Sequence, residues 1–274
     1  AGNSATVTDN TIEYDTTADE SGDLGLTLGG NDVINAADDD SDVTYTLTGI
    51  DSDVVSGDIN VTLSDGTNSI TGSVGGITAG DATITFASGD FSSLSDGTLT
   101  LSATVTDNAG NSATVTDNTI EYDTTAPALS IDGSIETDGV VNAAEATDVL
   151  VSGTTDAEDG QVVSVVFRDS VNTDVTATAT VSGGTWTLSS SEADLTSLND
   201  GSITVTADVD DAAGNSATQA STTIELDTTA PTLGIDGSIE TDDVVNAAEA
   251  GDVLVSGTTD AEDGQTVTVV FSDG

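Results

Sequence analysis

The feature that most constrains this chain is repetition on the scale of a whole domain. Residues 1–17, AGNSATVTDNTIEYDTT, recur letter for letter at 109–125. The string DTTA begins at Asp15, Asp123 and Asp227, so successive units are 108 and 104 residues long. Residues 123–167 and 227–271 match at 39 of 45 positions. That period is too long for a solenoid coil or a propeller blade and suits a small domain in tandem. The expected frame is the last strand of a preceding repeat (1–14), two complete repeats (15–122 and 123–226) and the first half of a further one (227–274). The chain then reads as a window on a longer array. Pro127 and Pro231, the only prolines, follow the junctions. Proline fixes φ and drives the residue before it to extended backbone, which makes a short, stiff hinge.

Within a unit the apolar residues alternate. Ile203, Val205, Ala207 and Val209 interleave with Thr204, Thr206, Asp208 and Asp210, and Leu99, Leu101, Ala103 and Val105 with hydroxyl residues. Period-two patterning marks half-buried strands and separates this chain from a disordered acidic tail. In the second unit strands are expected near 128–132, 148–153, 161–169, 174–181, 184–189, 202–210 and 216–226. Asp132-Gly133, Asp159-Gly160, Gly183-Gly184, Asp200-Gly201 and Ala213-Gly214-Asn215 supply the turns. The fold class is all-β: tandem immunoglobulin-like Greek-key sandwiches of about seven strands, joined end to end in a rod. Val163, Val165 and Phe167 return in kind as Val267, Val269 and Phe271 and belong to the core, whereas Val162 and Ser164 vary and face solvent. Trp186 is core filler, with Ala82 at the matching position, and Leu195 and Leu198 (matched by Phe91 and Leu94) plug one end of the sandwich.

Charge removes most functions. Fifty acidic residues face one base, Arg168, for a net charge of −49. A nucleic-acid binder needs cations for phosphates, and an anionic membrane would repel the chain. No apolar run approaches a bilayer span. With no Cys and no His there is no disulfide framework, no thiolate or imidazole metal site, and no Ser-His or Cys-His nucleophile. No enzyme is expected.

Most acids are solvated surface, but a subset clusters. In an immunoglobulin-type sandwich the loops between strands two and three and between six and seven lie at the end where the preceding unit arrives. For the second unit these carry Asp156, Glu158 and Asp159, and Asp210, Asp211 and Asn215, with Asp123 arriving at the junction. The far end of the first unit adds Asn35, Asp38 and Asp96. In the same frame the candidates extend to Asp107, Asn111, Asn142, Glu145 and Asp227. Carboxylates packed together without a base call for a hard cation, and calcium takes 6–8 oxygen ligands from irregular loops. Magnesium prefers a tighter octahedron, and the lack of N and S ligands argues against zinc and copper. The string D-x-A-G-N occurs at Asp107–Asn111 and Asp211–Asn215, where Gly110 and Gly214 can take positive φ; it reads either as part of such a site or as a plain Asx turn. An EF-hand register starting at Asp208 fails, with Gln219 at its twelfth position. Gly29-Gly30-Asn31-Asp32 matches a β-roll nonapeptide only once, as expected by chance.

D-T-T-A-P at the junctions (Asp123–Pro127, Asp227–Pro231), V-N-A-A-E (Val141–Glu145, Val245–Glu249) and D-x-A-G-N keep their order and spacing. Together they resemble the bacterial immunoglobulin-like repeats of giant calcium-dependent repeats-in-toxin adhesins, exported by type I secretion from Gram-negative bacteria. The resemblance implies an extracellular extender, a stalk stiffened by calcium at its joints that projects a distal ligand-binding domain for adhesion or biofilm formation. Its partners would be calcium and the neighbouring repeats, with lateral or end-to-end self-association open. The first unit departs from the pattern, with Asp19 in place of the proline and Asp38 in place of Glu. The alternatives are a self-assembling filament or S-layer subunit, or a direct carbohydrate- or ice-binding module.

Overall fold

A computed structural model describes residues 2–8, 14–28, 32–189 and 193–272. The Gly29-Gly30-Asn31 part of the single nonapeptide match lies outside the described residues. The first unit contributes β1 (Gly25–Leu28), β2 (Val33–Asn35), a one-turn helix α1 (Ala36–Asp39), β3 (Val43–Thr48), β4 (Val54–Ser64), β5 (Ser69–Thr71), β6 (Ser73–Val74), β7 (Ala82–Phe86), β8 (Gly97–Asp107) and β9 (Ser112–Asp123). The second contributes β10 (Leu129–Ile131), β11 (Val140–Asn142), β12 (Ser152–Thr155), β13 (Val162–Arg168), β14 (Asp174–Thr180), β15 (Thr185–Thr187), β16 (Gly201–Asp208) and β17 (Ala220–Asp227). Beyond it lie β18 (Leu233–Ile235) and β19 (Gly257–Thr259). Among the described residues no helix is long and apolar enough to cross a membrane.

Both units share one topology, with β6 an extra edge strand in the first. One sheet runs β1-β3-β7-β6 in the first unit and β10-β12-β15 in the second; the facing sheet runs β2-β9-β8-β4-β5 and β11-β17-β16-β13-β14. Every pairing is antiparallel except β2 with β9 and β11 with β17. Those short parallel strands arise because the first strand of each sandwich crosses between sheets. The crossing sets Asn35 opposite Asp123 and Asn142 opposite Asp227, at the end of each unit where the chain leaves it.

Each core cluster is drawn from a single repeat, 18–122 or 135–226. The expected alternation holds: Val163, Val165 and Phe167 are fully buried while Val162 is exposed. The first core is built on aromatics, with Tyr45 edge-on to Phe86 at 6.0 Å, Phe86 against Phe91 at 6.2 Å and Phe91 stacked on Tyr122 at 6.1 Å. In the second, Trp186 lies over Gly153, its register partner, where the first unit pairs Ala82 with Leu47. One large side chain per pair fills the same space from opposite strands.

Four strand expectations needed correction. The strand placed at 148–153 is Ser152–Thr155, because Val149 and Leu150 turn their N–H groups to Ala193 O and the Glu136 carboxylate. The last strand begins at Ala220 rather than 216, after Ala217 N–H bonds back to Val209 O. The three-residue β11 falls inside a stretch read as loop, too short for a periodic signal. Residues 1–14 were expected to form a strand, yet 2–8 form none, and 9–13 lie outside the described residues. The same letters at 112–123 form β9, where β8 lies alongside to pair with them. Val267, Val269 and Phe271 are exposed and lie in no strand, whereas their equivalents Val163, Val165 and Phe167 are core.

Candidate metal centre

The linker between the first two units is tied down at both ends by carboxylates. Asp96, before β8, accepts Thr124 N–H and Oγ1–H at 3.1 Å each and Thr125 Oγ1–H at 2.6 Å. Asp156, after β12, accepts Ala128 N–H at 2.6 Å, and Thr155 Oγ1 donates to Ala128 O at 2.7 Å. The arrangement repeats one unit on, where Asp200 holds Thr228 and Thr229, and Asp260 holds Thr232 N–H. It repeats one unit back at the Asp51 contact to Glu20 N–H. The two threonines of the junction motif are therefore hydroxyl donors to an acid of the preceding unit. Burial alone would push the Asp96 carboxyl up, but the bonds from Thr125 and Thr124 outweigh it and hold it below the ordinary range. Asp200 is lowered by bonds from Thr228 and Thr229.

The D-x-A-G-N turn folds on its own acid. Asp107 Oδ1 accepts Ala109 and Asn111 N–H at 2.9 and 2.8 Å, and Oδ2 accepts Asn111 Nδ2–H at 2.7 Å. Asp211 takes Asn215 N–H at 2.7 Å and Asn215 Nδ2–H at 2.9 Å. Gly110 and Gly214 sit at φ +94° and +92°, which a side chain would strain. Burial opposes ionisation of Asp107, and the bonds from Asn111, Gly110 and Ala109 overcome it. The turn thus delivers an ionised, buried aspartate to the joint-facing end of the sandwich.

At the first joint that aspartate has company. One carboxylate oxygen from each of Asp15, Asp53 and Asp107 lies within 4.8 Å of the other two. The second unit places Asp123, Glu158 and Asp211 at the same repeat positions, and the third places Asp227 and Glu262. Glu158 Oε2 accepts Ala212 N–H at 2.8 Å, which brings it onto the turn that Asp211 organises. Asp123 and Asp227 each accept the N–H two residues on, from Thr125 and Thr229. The donor set is wholly anionic oxygen, and among the described residues the only ion pair, Arg168 with Asp174, is elsewhere. Three carboxylates this close, on rigid turns with no base, suit a hard divalent cation completed by carbonyl or water oxygens.

The other candidates have different surroundings. Asp159 binds Gly183 N–H, and the exposed Asp210 is bridged in the backbone to Ser216. Asn35 with Asp38, and Asn142 with Glu145, form capping boxes at the ends of β2 and β11. Asn35 and Asn215 also reach across the joint. Asn35 Nδ2 donates to Ala213 O, Asn215 Oδ1 accepts Ala36 N–H and Asn215 Nδ2 donates to Asp123 O, each at 2.9 Å. Sequence reasoning missed Asp15 and Asp53. The repeat offset that links them to Asp123 and Glu158 was the signal that could have found them.

A family model for a bacterial Ig-like domain matches residues 127–228, and one for group 3 bacterial Ig-like domains matches 188–274. Among solved structures, the chain is 31% identical to one from a 1.5-MDa bacterial ice-binding adhesin, studied for host cell surface retention; the match covers 87% of this chain and 76% of that one, with a TM-score of 0.44. It is 30% identical to a Ca2+-stabilized adhesin with which an Antarctic bacterium binds ice, over 91% of this chain and 59% of that one, TM-score 0.45. It is 29% identical to a tetra-tandem repeat from the extending region of a large adhesion protein, over 86% and 55%, TM-score 0.37. The chain thus spans little more than half the length of the last two. No curated protein matches it.

Proposed function

Because the chain belongs to the bacterial Ig-like domain family, we propose that it is an extender segment of a large bacterial surface adhesin, extracellular and mechanical rather than catalytic. Its units act as rigid spacers, and its joints determine whether the array is a stiff stalk or a loose string. Calcium is the proposed stiffener. At the first joint Asp15, Asp53 and Asp107 would hold it; at the second, Asp123, Glu158 and Asp211. Bound there, the cation supplies the positive charge that lets these carboxylates share one space, and so couples the linker to two loops of the following sandwich. The protein positions the ligands: Asn111 and Asn215 orient the turn aspartates, while Asp96 and Asp156 tie down the linker. The observation that carries this reading is the Asp15–Asp53–Asp107 cluster, built from an acid of the junction motif and acids of both loops expected to face it.

Small-angle scattering of the whole chain tests the proposal. The maximum dimension should increase on replacing EDTA with millimolar calcium, and Asp123→Ala should hold it near the EDTA value with both cores folded. Identical scattering from wild type and variant in calcium would refute it.

A further inference from the structure

We infer that the asparagines Asn35 and Asn215 form a cation-independent latch between successive units, in which each unit supplies hydrogen bonds that the other's joint-facing turn cannot make for itself. The helix α1 begins at Ala36, and a helix N-terminus leaves its first N–H groups without partners in the helix. Asn35 Oδ1 accepts two of them, Ala37 N–H and Asp38 N–H, at 2.9 and 3.1 Å. Ala36 N–H is taken by Asn215 Oδ1 of the following unit. In return Asn35 Nδ2 donates to Ala213 O, within the turn that carries Asn215. Asn215 Nδ2 also binds Asp123 O, where β9 ends and the chain passes into the second unit, and so holds the last strand of the preceding sandwich at the junction.

Three further features make this a built contact. Asn215 is buried, only 5% exposed, and its amide is engaged on both sides, by Ala36 through oxygen and by Asp123 and Asp211 through nitrogen. A buried polar group so placed fixes orientation, because any rotation of the joint strands it without a partner. Gly214 accommodates the approach: a Cβ there would stand 3.2 Å from Asn35 Nδ2, on a backbone already at positive φ. Finally, both halves recur. Asn142 caps the turn after β11 as Asn35 does after β2, and Asn111 stands in its turn as Asn215 does. Two motifs spaced far apart within each repeat, V-N-A-A and A-G-N, are thereby the two faces of one docking surface, whose partner is another repeat of the same kind. The latch fixes the rotation of one unit on the next, and the cation of the proposed function then binds a joint already in register.

The chain has no native cysteine, so spin labels at Thr100→Cys and Ser164→Cys, on exposed strand positions of the two units, report the joint by pulsed electron-electron distance measurement. In EDTA the otherwise wild-type chain should give a distance distribution clearly narrower than that of either variant, and calcium should narrow it further. Asn215→Ala should broaden it at least twofold. Asn35→Ser, which keeps a capping oxygen and adds no charge, should do the same. Emission from the buried Trp186 verifies that the second unit stays folded. A wild-type distribution in EDTA as broad as the variants, or variants as narrow as wild type, would overturn the latch. Because both results are read without calcium, the latch and the cation site stand or fall separately.

Discussion

Gly153 tests how tightly the second sandwich is packed. A Cβ at that position would lie within the envelope of the Ser130 carbonyl oxygen and 2.6 Å from both Cε2 and Cζ2 of Trp186, about 0.8 Å short of the 3.4 Å where ordinary contact begins. The indole is fully enclosed and cannot swing away, and the carbonyl belongs to the neighbouring strand β10. Gly153→Ala must therefore move β10 away from β12. Overpacking of this kind costs about 1–3 kcal/mol, and weakening two ladder hydrogen bonds adds about 0.5–1.5 kcal/mol each. A loss of about 2–6 kcal/mol, at about 4–8 °C per kcal/mol, lowers the melting midpoint of a 100-residue domain by roughly 8–48 °C. Trp186 is the only tryptophan, so its fluorescence melt reports the second unit alone. Removing the indole as well should not restore stability, since the clash with Ser130 O remains; calorimetry would follow that double variant. A Gly153→Ala midpoint within a few degrees of wild type would refute the packing argument.

Other outcomes follow from the joints and loops. Asp53→Asn removes a charge from the cluster with Asp15 and Asp107, so calorimetry should show the first unit more stable than wild type in EDTA and less stable in millimolar calcium; a shift of the same sign in both would contradict a cation site. Asp169 is held down to about 2, chiefly by Thr173 N–H and, against the opposing effect of burial, by Asn199. A depressed carboxyl stabilises the fold above its unfolded value and ceases to do so as pH falls through the folded one. The midpoint difference between wild type and Asp169→Asn should accordingly be constant above about pH 5, shrink as pH falls through about 4 to 2 and vanish only near pH 1, and a gap as large at pH 2 as at pH 6 would refute the assignment. A broad hydrolase screen should give no rate above background, and any rate abolished by a single Asp→Asn change would replace the mechanical reading.

What the sequence disclosed depended on how each feature is encoded. Strands such as β8, β13 and β16 were legible because alternate residues face core and solvent, a period visible in one copy and reinforced by substitutions between copies. β11 was not, since three residues carry no period and the strand is specified by pairing with β17. Residues 2–8 form no strand although the same letters at 110–116 run into β9, because a strand needs a neighbour and β8 supplies it there. The joint was legible as a concentration of oxygen-bearing residues, but composition could not divide the labour among them. Asp96 and Asp156 spend oxygens on the linker and Asp38 and Glu145 on capping boxes, while Asn35 donates an amide N–H to the turn of Asn215 and Asn215 accepts one from the turn of Asn35. Those roles depend on which N–H groups the folded backbone leaves unpaired, a property that exists only once β2 lies beside β9.

Diffraction from crystals of the chain grown in calcium, with data collected to record the anomalous signal of the ion, tests the account most directly. It predicts a peak among the carboxylates of Asp15, Asp53 and Asp107 and another among those of Asp123, Glu158 and Asp211, each completed to six to eight oxygens at about 2.3–2.6 Å. Peaks confined to surface acids away from the joints, or none at saturating calcium, would contradict it.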